Sequence, residues 1–291
     1  MTESRPMKMS TLMPMPDGQT TVVGVIGAPV RHSLSPLLHN TAFAELGLNW
    51  MSLAFEVAPG QAPAALAGMR ALGLAGLSVT MPHKADVAAL VDECLAPAAE
   101  LGAVNCVINR DGVLHGANTD GAGFLASLVR GADFEPSGRR CLVVGAGGAA
   151  RAVVLALAQA GATEVVVLNR TPERAAAAAA LAGPVGRVAQ AGDEADAAQA
   201  DLVVNATPVG MSDGGAEGWL VAPDLLHRGQ VVADLVYVPR PTPWLAAAAA
   251  AGAHPVDGLG MLVHQAAAQL ELWTGTAPPV DAMWNAAESA H

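Results

Sequence analysis

Eleven residues, Cys141 to Arg151, read C-L-V-V-G-A-G-G-A-A-R, so that an apolar strand passes through clustered glycines directly into an alanine-rich helix. No other stretch of the chain narrows the fold as far. The spacing of Gly145, Gly147 and Ala150 fits the G-x-G-x-x-G/A dinucleotide fingerprint, whose glycines permit the tight turn, the close approach of a pyrophosphate and the packing of helix on strand. Gly145, Ala146, Gly147, Gly148 and Ala149 are therefore candidate cofactor contacts, because the free N–H groups of the new helix face the phosphates. Such a turn can also be architecture alone, so the next strand must be read with it. E-V-V-V-L-N-R-T, Glu164 to Thr171, ends a little over twenty residues past the glycines, where NAD calls for an acid on the ribose. Asn169, Arg170 and Thr171 stand there instead. A guanidinium and a hydroxyl suit a 2′-phosphate, which an acid would repel, and the reading is NADP in place of NAD. The competing reading of Arg170 is a solvated side chain opening a helix near Pro172.

The chain has 291 residues, 52% of them hydrophobic, enough for a large core and two domains. A formal net charge of −11 without any long basic run disfavours a nucleic-acid binder. Cys94, Cys106 and Cys141 are widely spaced and odd in number, with no C-x-x-C pair, which points to a reducing cytoplasm and no disulfide framework. Residues 1–20 hold several Met, Pro and Ser but no sustained apolar core; they are expected to be a disordered extension, neither secretory signal nor membrane span. The alanine runs at Ala175 to Ala180 and Ala246 to Ala251 suit helices of βα units.

Strands and helices alternate along the chain. Before the fingerprint, strands are expected at Val22 to Ile26, near Leu53 to Val57 and at Leu77 to Thr80, with helices after Ser35, around Pro63 to Leu72 and from Pro82. Beyond it, strands are expected at Val165 to Leu168, Leu202 to Asn205, Val231 to Val236 and near Pro255. Val185 to Ala200 shows no clear period, and helix, loop and edge strand all fit. The fold class is α/β throughout.

Polar motifs stand at the strand ends, where open α/β sheets bind ligands. R-H-S-L-S-P carries Ser33 and Ser35, hydroxyls that can donate to a carboxylate, although Ser35 before Pro36 also reads as a plain N-cap. L-S-V-T-M-P-H-K delivers Ser78 and Thr80 and then Lys84; a lysine in such a place is usually solvated. G-A-V-N-C and H-G-A-N-T-D-G bring Asn105, Asn118, Thr119 and Asp120, residue types that beside glycine usually make turns. N-A-T-P-V-G-M, with Thr207, suits a segment passing near a nicotinamide, and D-G-L-G-M-L-V-H-Q, with Gly258, Met261 and Gln265, enters a long apolar helix toward Trp273.

Together, S-L-S-P, V-T-M-P-H-K, G-A-V-N, N-T-D-G, G-A-G-G-A, N-R-T and D-G-L-G-M-L-V-x-Q resemble the motifs of the shikimate dehydrogenases, in that family's order, from Val22 to Gly275. The resemblance implies reversible NADPH-dependent reduction of 3-dehydroshikimate to shikimate, in the pathway to chorismate and the aromatic amino acids. It implies Lys84 and Asp120 as the catalytic pair and Ser33 and Ser35 as holders of the substrate carboxylate. Thr80, Asn105, Tyr237 and Gln265 would line the substrate pocket, as would Ser78, where the family usually has Asn. It also implies an α/β substrate domain at 21–119, a doubly wound NADP-binding Rossmann domain at 120–256, and helices at 257–291 that return to the first domain. The expected partner is one small-molecule substrate, with no membrane or nucleic acid, in a monomer or homodimer.

The chemistry can be argued independently. Hydride delivery to a ketone builds negative charge on its oxygen, and a cation or acid must stand within hydrogen-bond reach. Lys84 can supply that proton, and Asp120 can orient the ammonium and accept a substrate hydroxyl. Zinc-assisted reduction needs grouped ligands, and the sequence offers no such set. His32, His39 and His83 read as capping or surface residues. Three other readings stay open: a quinate/shikimate dehydrogenase using NAD or NADP, a non-catalytic shikimate-binding sensor, and a dehydrogenase for another carbonyl substrate.

Overall fold

The computed structural model describes residues 15–189, 195–211 and 221–290. The first half runs β1 (Thr21–Gly27), α1 (Ser35–Glu45), β2 (Trp50–Glu56), α2 (Ala62–Leu72), β3 (Gly76–Val79), α3 (Lys84–Ala88), β4 (Glu93–Cys94), α4 (Ala98–Leu101), β5 (Cys106–Arg110), β6 (Val113–Ala117) and α5 (Asp120–Ala132). The second continues with β7 (Arg140–Val144), α6 (Gly148–Gln159), β8 (Glu164–Leu168), α7 (Pro172–Ala179), β9 (Gly186–Val188), α8 (Ala195–Gln199), β10 (Leu202–Asn205), β11 (Val231–Asp234), α9 (Pro243–Ala250), β12 (His254–Val256), α10 (Gly258–Thr274) and α11 (Val280–Ser289). Among the described residues, no helix is long and apolar enough to cross a membrane.

Two six-stranded sheets result. The second has the order β12-β11-β10-β7-β8-β9 with every pairing parallel. Numbered from β7, this is the doubly wound order that reverses between its first and fourth strands, and the crevice at that reversal is where such sheets bind ligands. Parallel strands covered on both faces must be apolar throughout, and Cys141 to Val144, Val165 to Val167 and Leu202 to Val204 are accordingly buried. Gly145 closes β7 at φ 116°, and a Cβ there would lie 2.9 Å from the Ala206 carbonyl, so only glycine makes this turn.

The first sheet, β2-β1-β3-β5-β6-β4, is mixed. Its parallel part, β2-β1-β3, is joined to an antiparallel hairpin, β5–β6, that simple strand–helix alternation does not contain. The hairpin turns at Asp111 and Gly112, both at positive φ, the D-G chemistry of a tight reversal.

Helices α10 and α11 pack against α1 and the first sheet through Leu259, Val263, Leu270, Trp273 and Met283. Helix α10 also lies along α5. A Cβ on Gly123 would come within 2.7 Å of the Gln265 backbone nitrogen, so glycine sets the separation of these two helices.

Two local expectations are corrected, and one open stretch is resolved in part. Ser35 is the first residue of α1 and caps nothing; Ser33 Oγ accepts from the Ser35 N–H at 3.2 Å, so the hydroxyl that serves this helix end is two residues earlier. Pro82 lies in a turn closed by the His83 N–H on Thr80 O at 3.1 Å, and the helix starts at Lys84. Within the stretch of no clear period, β9 pairs with β8 as an edge strand and α8 follows, while residues 190–194 lie outside the described residues. Residues 1–14 of the expected extension also lie outside them, whereas Asp17 and Thr20 are held by side-chain hydrogen bonds to Asn49.

Candidate active site

A cavity of about 430 Å³ opens between the two sheets. Its substrate-side wall carries Ser33, Ser35, Ser78, Thr80, Lys84 and Asp120, and its other wall Ala149, Met211, Leu235, Gly258 and Met261. Tyr237 and Gln265 also line it. Strand β3 explains part of this convergence. Ser78 pairs with Val25 on one side and Cys106 on the other, so its hydroxyl is delivered at a fixed register, and Thr80 and Lys84 follow where the strand ends.

At the centre, Lys84 Nζ donates to Asp120 Oδ2 at 2.6 Å. Asp120 is 4% exposed and opens α5, where unpaired N–H groups favour a carboxylate. Its other oxygen accepts from Asn105 Nδ2 at 2.7 Å. Asn105 Oδ1 accepts from the Thr119 N–H at 2.8 Å, Thr119 Oγ1 donates to Gln265 O at 3.0 Å, and the Asp120 N–H donates to Asn118 Oδ1 at 3.0 Å. The carboxylate is thus held from several sides before any ligand arrives. Removing one partner of such a buried pair typically costs about 3–5 kcal/mol, because a charge is left uncompensated. Asn105 itself sits behind Asp120, its amide engaged by Thr119 and Asp120, and is not among the residues lining the cavity.

On the opposite wall, Gly145 is buried while Gly147 and Gly148 are exposed. Among the described residues, no atom beyond the chain neighbours and the helix's own backbone stands within 4 Å of where a Cβ on either exposed glycine would be, which leaves the helix α6 N-terminus open to a phosphate group. Beyond β8, Asn169 Nδ2 donates to Thr171 O at 3.0 Å, and Arg170 is exposed. These residues and Thr207 are not among those lining the cavity. The residues present therefore fit a dinucleotide: a bare N-terminus for the pyrophosphate, an exposed guanidinium for a further phosphate, and Ala149 on the cavity wall.

A buried carboxylate missed in the sequence supports this wall. Asp234 accepts from Asn205 Nδ2 at 3.0 Å, the Val236 N–H at 3.0 Å and Thr242 Oγ1 at 2.7 Å. Burial pushes its pKa up, against these three hydrogen bonds. Asn205 Oδ1 in turn accepts from the Thr207 N–H and hydroxyl at 3.0 and 2.7 Å, so the segment after β10 is tied down. Burial likewise raises the Tyr237 phenol.

Two of the three histidines depart from expectation. His39 and His83 are fully buried and not surface residues; His83 does hold the N-cap position of α3, but its side chain makes no capping hydrogen bond. His83 Nε2 donates to Val57 O at 2.7 Å, and His39 sits edge-on to Trp273 with ring centroids 4.9 Å apart. Each is packed in the core with one ring nitrogen engaged, His83 Nε2 on Val57 O and His39 Nδ1 facing Ser52 Oγ. His32 is exposed and lines the cavity mouth.

Comparison with known proteins agrees with this arrangement. Residues 25–107 match the family described as shikimate dehydrogenase substrate binding domain, 130–210 that described as shikimate / quinate 5-dehydrogenase, and 258–288 the shikimate 5'-dehydrogenase C-terminal domain. Shikimate dehydrogenase (NADP(+)) of Methanopyrus kandleri is 49% identical over 274 residues, covering 92% of this chain and 94% of the relative. A solved shikimate dehydrogenase in complex with NADP+ superposes with a TM-score of 0.90 at 36% identity, covering 96% of this chain and 98% of that one. The shikimate 5-dehydrogenase of Thermus thermophilus in complex with NADP(H) and shikimate gives 0.86 at 38% identity, over 93% and 100%. With the fold, the motif order and these relatives in agreement, the chain belongs to the shikimate dehydrogenase family.

Proposed function

We propose that this chain catalyses the reversible NADPH-dependent reduction of 3-dehydroshikimate to shikimate, as a cytoplasmic enzyme acting on one small molecule. The observation that carries the reading is the Lys84–Asp120 pair, 2.6 Å apart on the wall of a cavity whose other wall is the dinucleotide-binding edge of the second sheet. When bound, NADPH supplies the hydride. The chain supplies the proton: Lys84 Nζ stands where a carbonyl oxygen of the substrate can hydrogen-bond it, and stabilises the charge that builds there. Asp120 holds the ammonium in place and offers its remaining acceptor capacity to a ring hydroxyl. Ser33 and Ser35 line the cavity with hydroxyl donors suited to the substrate carboxylate, while Thr80, Tyr237 and Gln265 surround the ring. Asn105 acts through Asp120, and Ser78 presents a hydroxyl where the family usually has an amide. Gly145 to Ala149, Asn169 to Thr171, Thr207, Gly258 and Met261 would receive the cofactor.

The test is a comparison of initial rates with shikimate and quinate, each offered NADP+ and NAD+. Shikimate with NADP+ should be the best pair by a wide margin. Comparable turnover of quinate or with NAD+ would transfer the chain to the quinate/shikimate branch, and no turnover in any pair would leave a binding protein.

A further inference from the structure

Resting on the reading of Gln265 as a substrate-binding residue, we propose that Gln269 is a positioning residue that fixes the Gln265 amide so that it offers the substrate an N–H donor. Gln269 lies one turn beyond Gln265 on α10 and is fully buried. Its Nε2 donates to the Asn105 main-chain carbonyl at 3.0 Å and to Gln265 Oε1 at 2.9 Å. A main-chain carbonyl only accepts, so Gln269 must face Asn105 with its nitrogen, and both of its hydrogens are then in use. Gln265 must consequently turn its oxygen toward Gln269. The other end is fixed in the same way, since Gln265 Nε2 donates to the Leu262 carbonyl at 2.9 Å. An amide nitrogen carries two hydrogens, and the one left over belongs to a side chain that lines the cavity.

Behind Gln269 the polarity continues. Gln269 Oε1 and His39 Nε2 are both buried, and neither has a hydrogen-bond partner among the described residues. Burial holds His39 neutral, its pKa pushed down to about 3, so the ring carries one N–H. His39 Nδ1 faces Ser52 Oγ at 3.1 Å. A hydroxyl can donate to that nitrogen, which places the ring hydrogen on Nε2. Donation on the cavity side runs in one direction, from Gln269 to Gln265 and out to an acceptor on the substrate.

The experiment is a double-mutant cycle. Gln269→Met keeps the side-chain length and removes both donors. It should raise KM for shikimate about fivefold and leave kcat and the KM for NADP+ unchanged, the pattern of a lost ground-state contact. In a Gln265→Ala background the same substitution should add nothing. Gln269→Glu, which demands an N–H from Gln265 and turns its oxygen to the cavity, should raise KM for shikimate further, and it carries the test if the methionine variant does not fold. An equal rise in both backgrounds, an equal rise in the KM for NADP+, or no rise with either variant would overturn the positioning role. If Gln265→Ala leaves the shikimate KM unchanged, the substrate-binding reading of Gln265 falls and takes this inference with it.

Discussion

The two walls of the cleft are built on opposite principles. On the substrate side, Lys84, Asp120, Asn105, Thr119 and Gln265 are joined by hydrogen bonds of 2.6 to 3.0 Å among buried or half-buried groups. On the cofactor side, Gly147, Gly148 and Arg170 are exposed and the glycines have no near neighbours. A ketone undergoing reduction needs its proton donor fixed before the charge develops, because reorganising dipoles during the reaction raises the barrier. A dinucleotide bound through phosphates needs bare N–H groups and a mobile cation, and any preformed partner would have to be displaced. Preorganisation is therefore concentrated where bonds change, and openness where the ligand is merely held.

The largest effect should come from breaking the preorganised wall. Lys84→Ala should lower kcat by roughly 10³-fold, within the usual range for losing a positioned proton donor, while NADP+ binding measured by calorimetry stays within about twofold of the parent. A comparable loss of cofactor affinity would mean that the walls are not separable. Next is the open wall: Arg170→Ala should raise KM for NADP+ by about 10- to 100-fold, the loss expected for hydrogen bonds to a charged group, and leave KM for NAD+ unchanged. Equal losses with both cofactors would return Arg170 to a solvated helix start.

The third test concerns the cost of burying polar groups behind the substrate wall. His39 has its pKa lowered from 6.5 to about 3, so below 6.5 the unfolded chain takes up a proton that the folded chain does not. Stability should fall as pH drops through that window, by about 2 kcal/mol between pH 6.5 and pH 5. Denaturant unfolding at pH 7.5 and pH 5 should show this slope reduced by that amount in His39→Gln; an unchanged slope would show that another group carries it. The smallest effect is expected at Ser78. Ser78→Asn should change the shikimate-to-quinate ratio of kcat/KM only a few-fold, in the range of one neutral hydrogen bond, without altering the cofactor preference.

Legibility differed between the walls in the same sense. The cofactor wall was readable because its residues act through local backbone geometry: Gly145 is required by a turn within its own segment, and Arg170 follows its strand directly. The D-G turn of the β5–β6 hairpin was equally local and was passed over because its strands are short and read as part of a polar, glycine-flanked stretch. The substrate wall was readable only as a set of motifs. Asn105 and Asp120 lie fifteen residues apart, and their 2.7 Å contact depends on β5, β6 and α5 folding back together. Ser35 showed the converse error, a local capping signal that was real but belonged to Ser33.

Alone, the sequence determined the α/β class, the glycine turn between β7 and α6, and the inventory of hydroxyls, amides and the Lys–Asp pair. These are properties of short segments, where spacing and side-chain type already dictate geometry. The tertiary structure decided the mixed order of the first sheet, the burial of His39 and His83, the support of the cofactor wall by Asp234, and the junction of Gln269 with Asn105 across more than a hundred and sixty residues of chain. Those features rest on which buried polar atoms find one another when the hydrophobic faces close, and a hydrogen bond between distant segments leaves no periodicity in either of them.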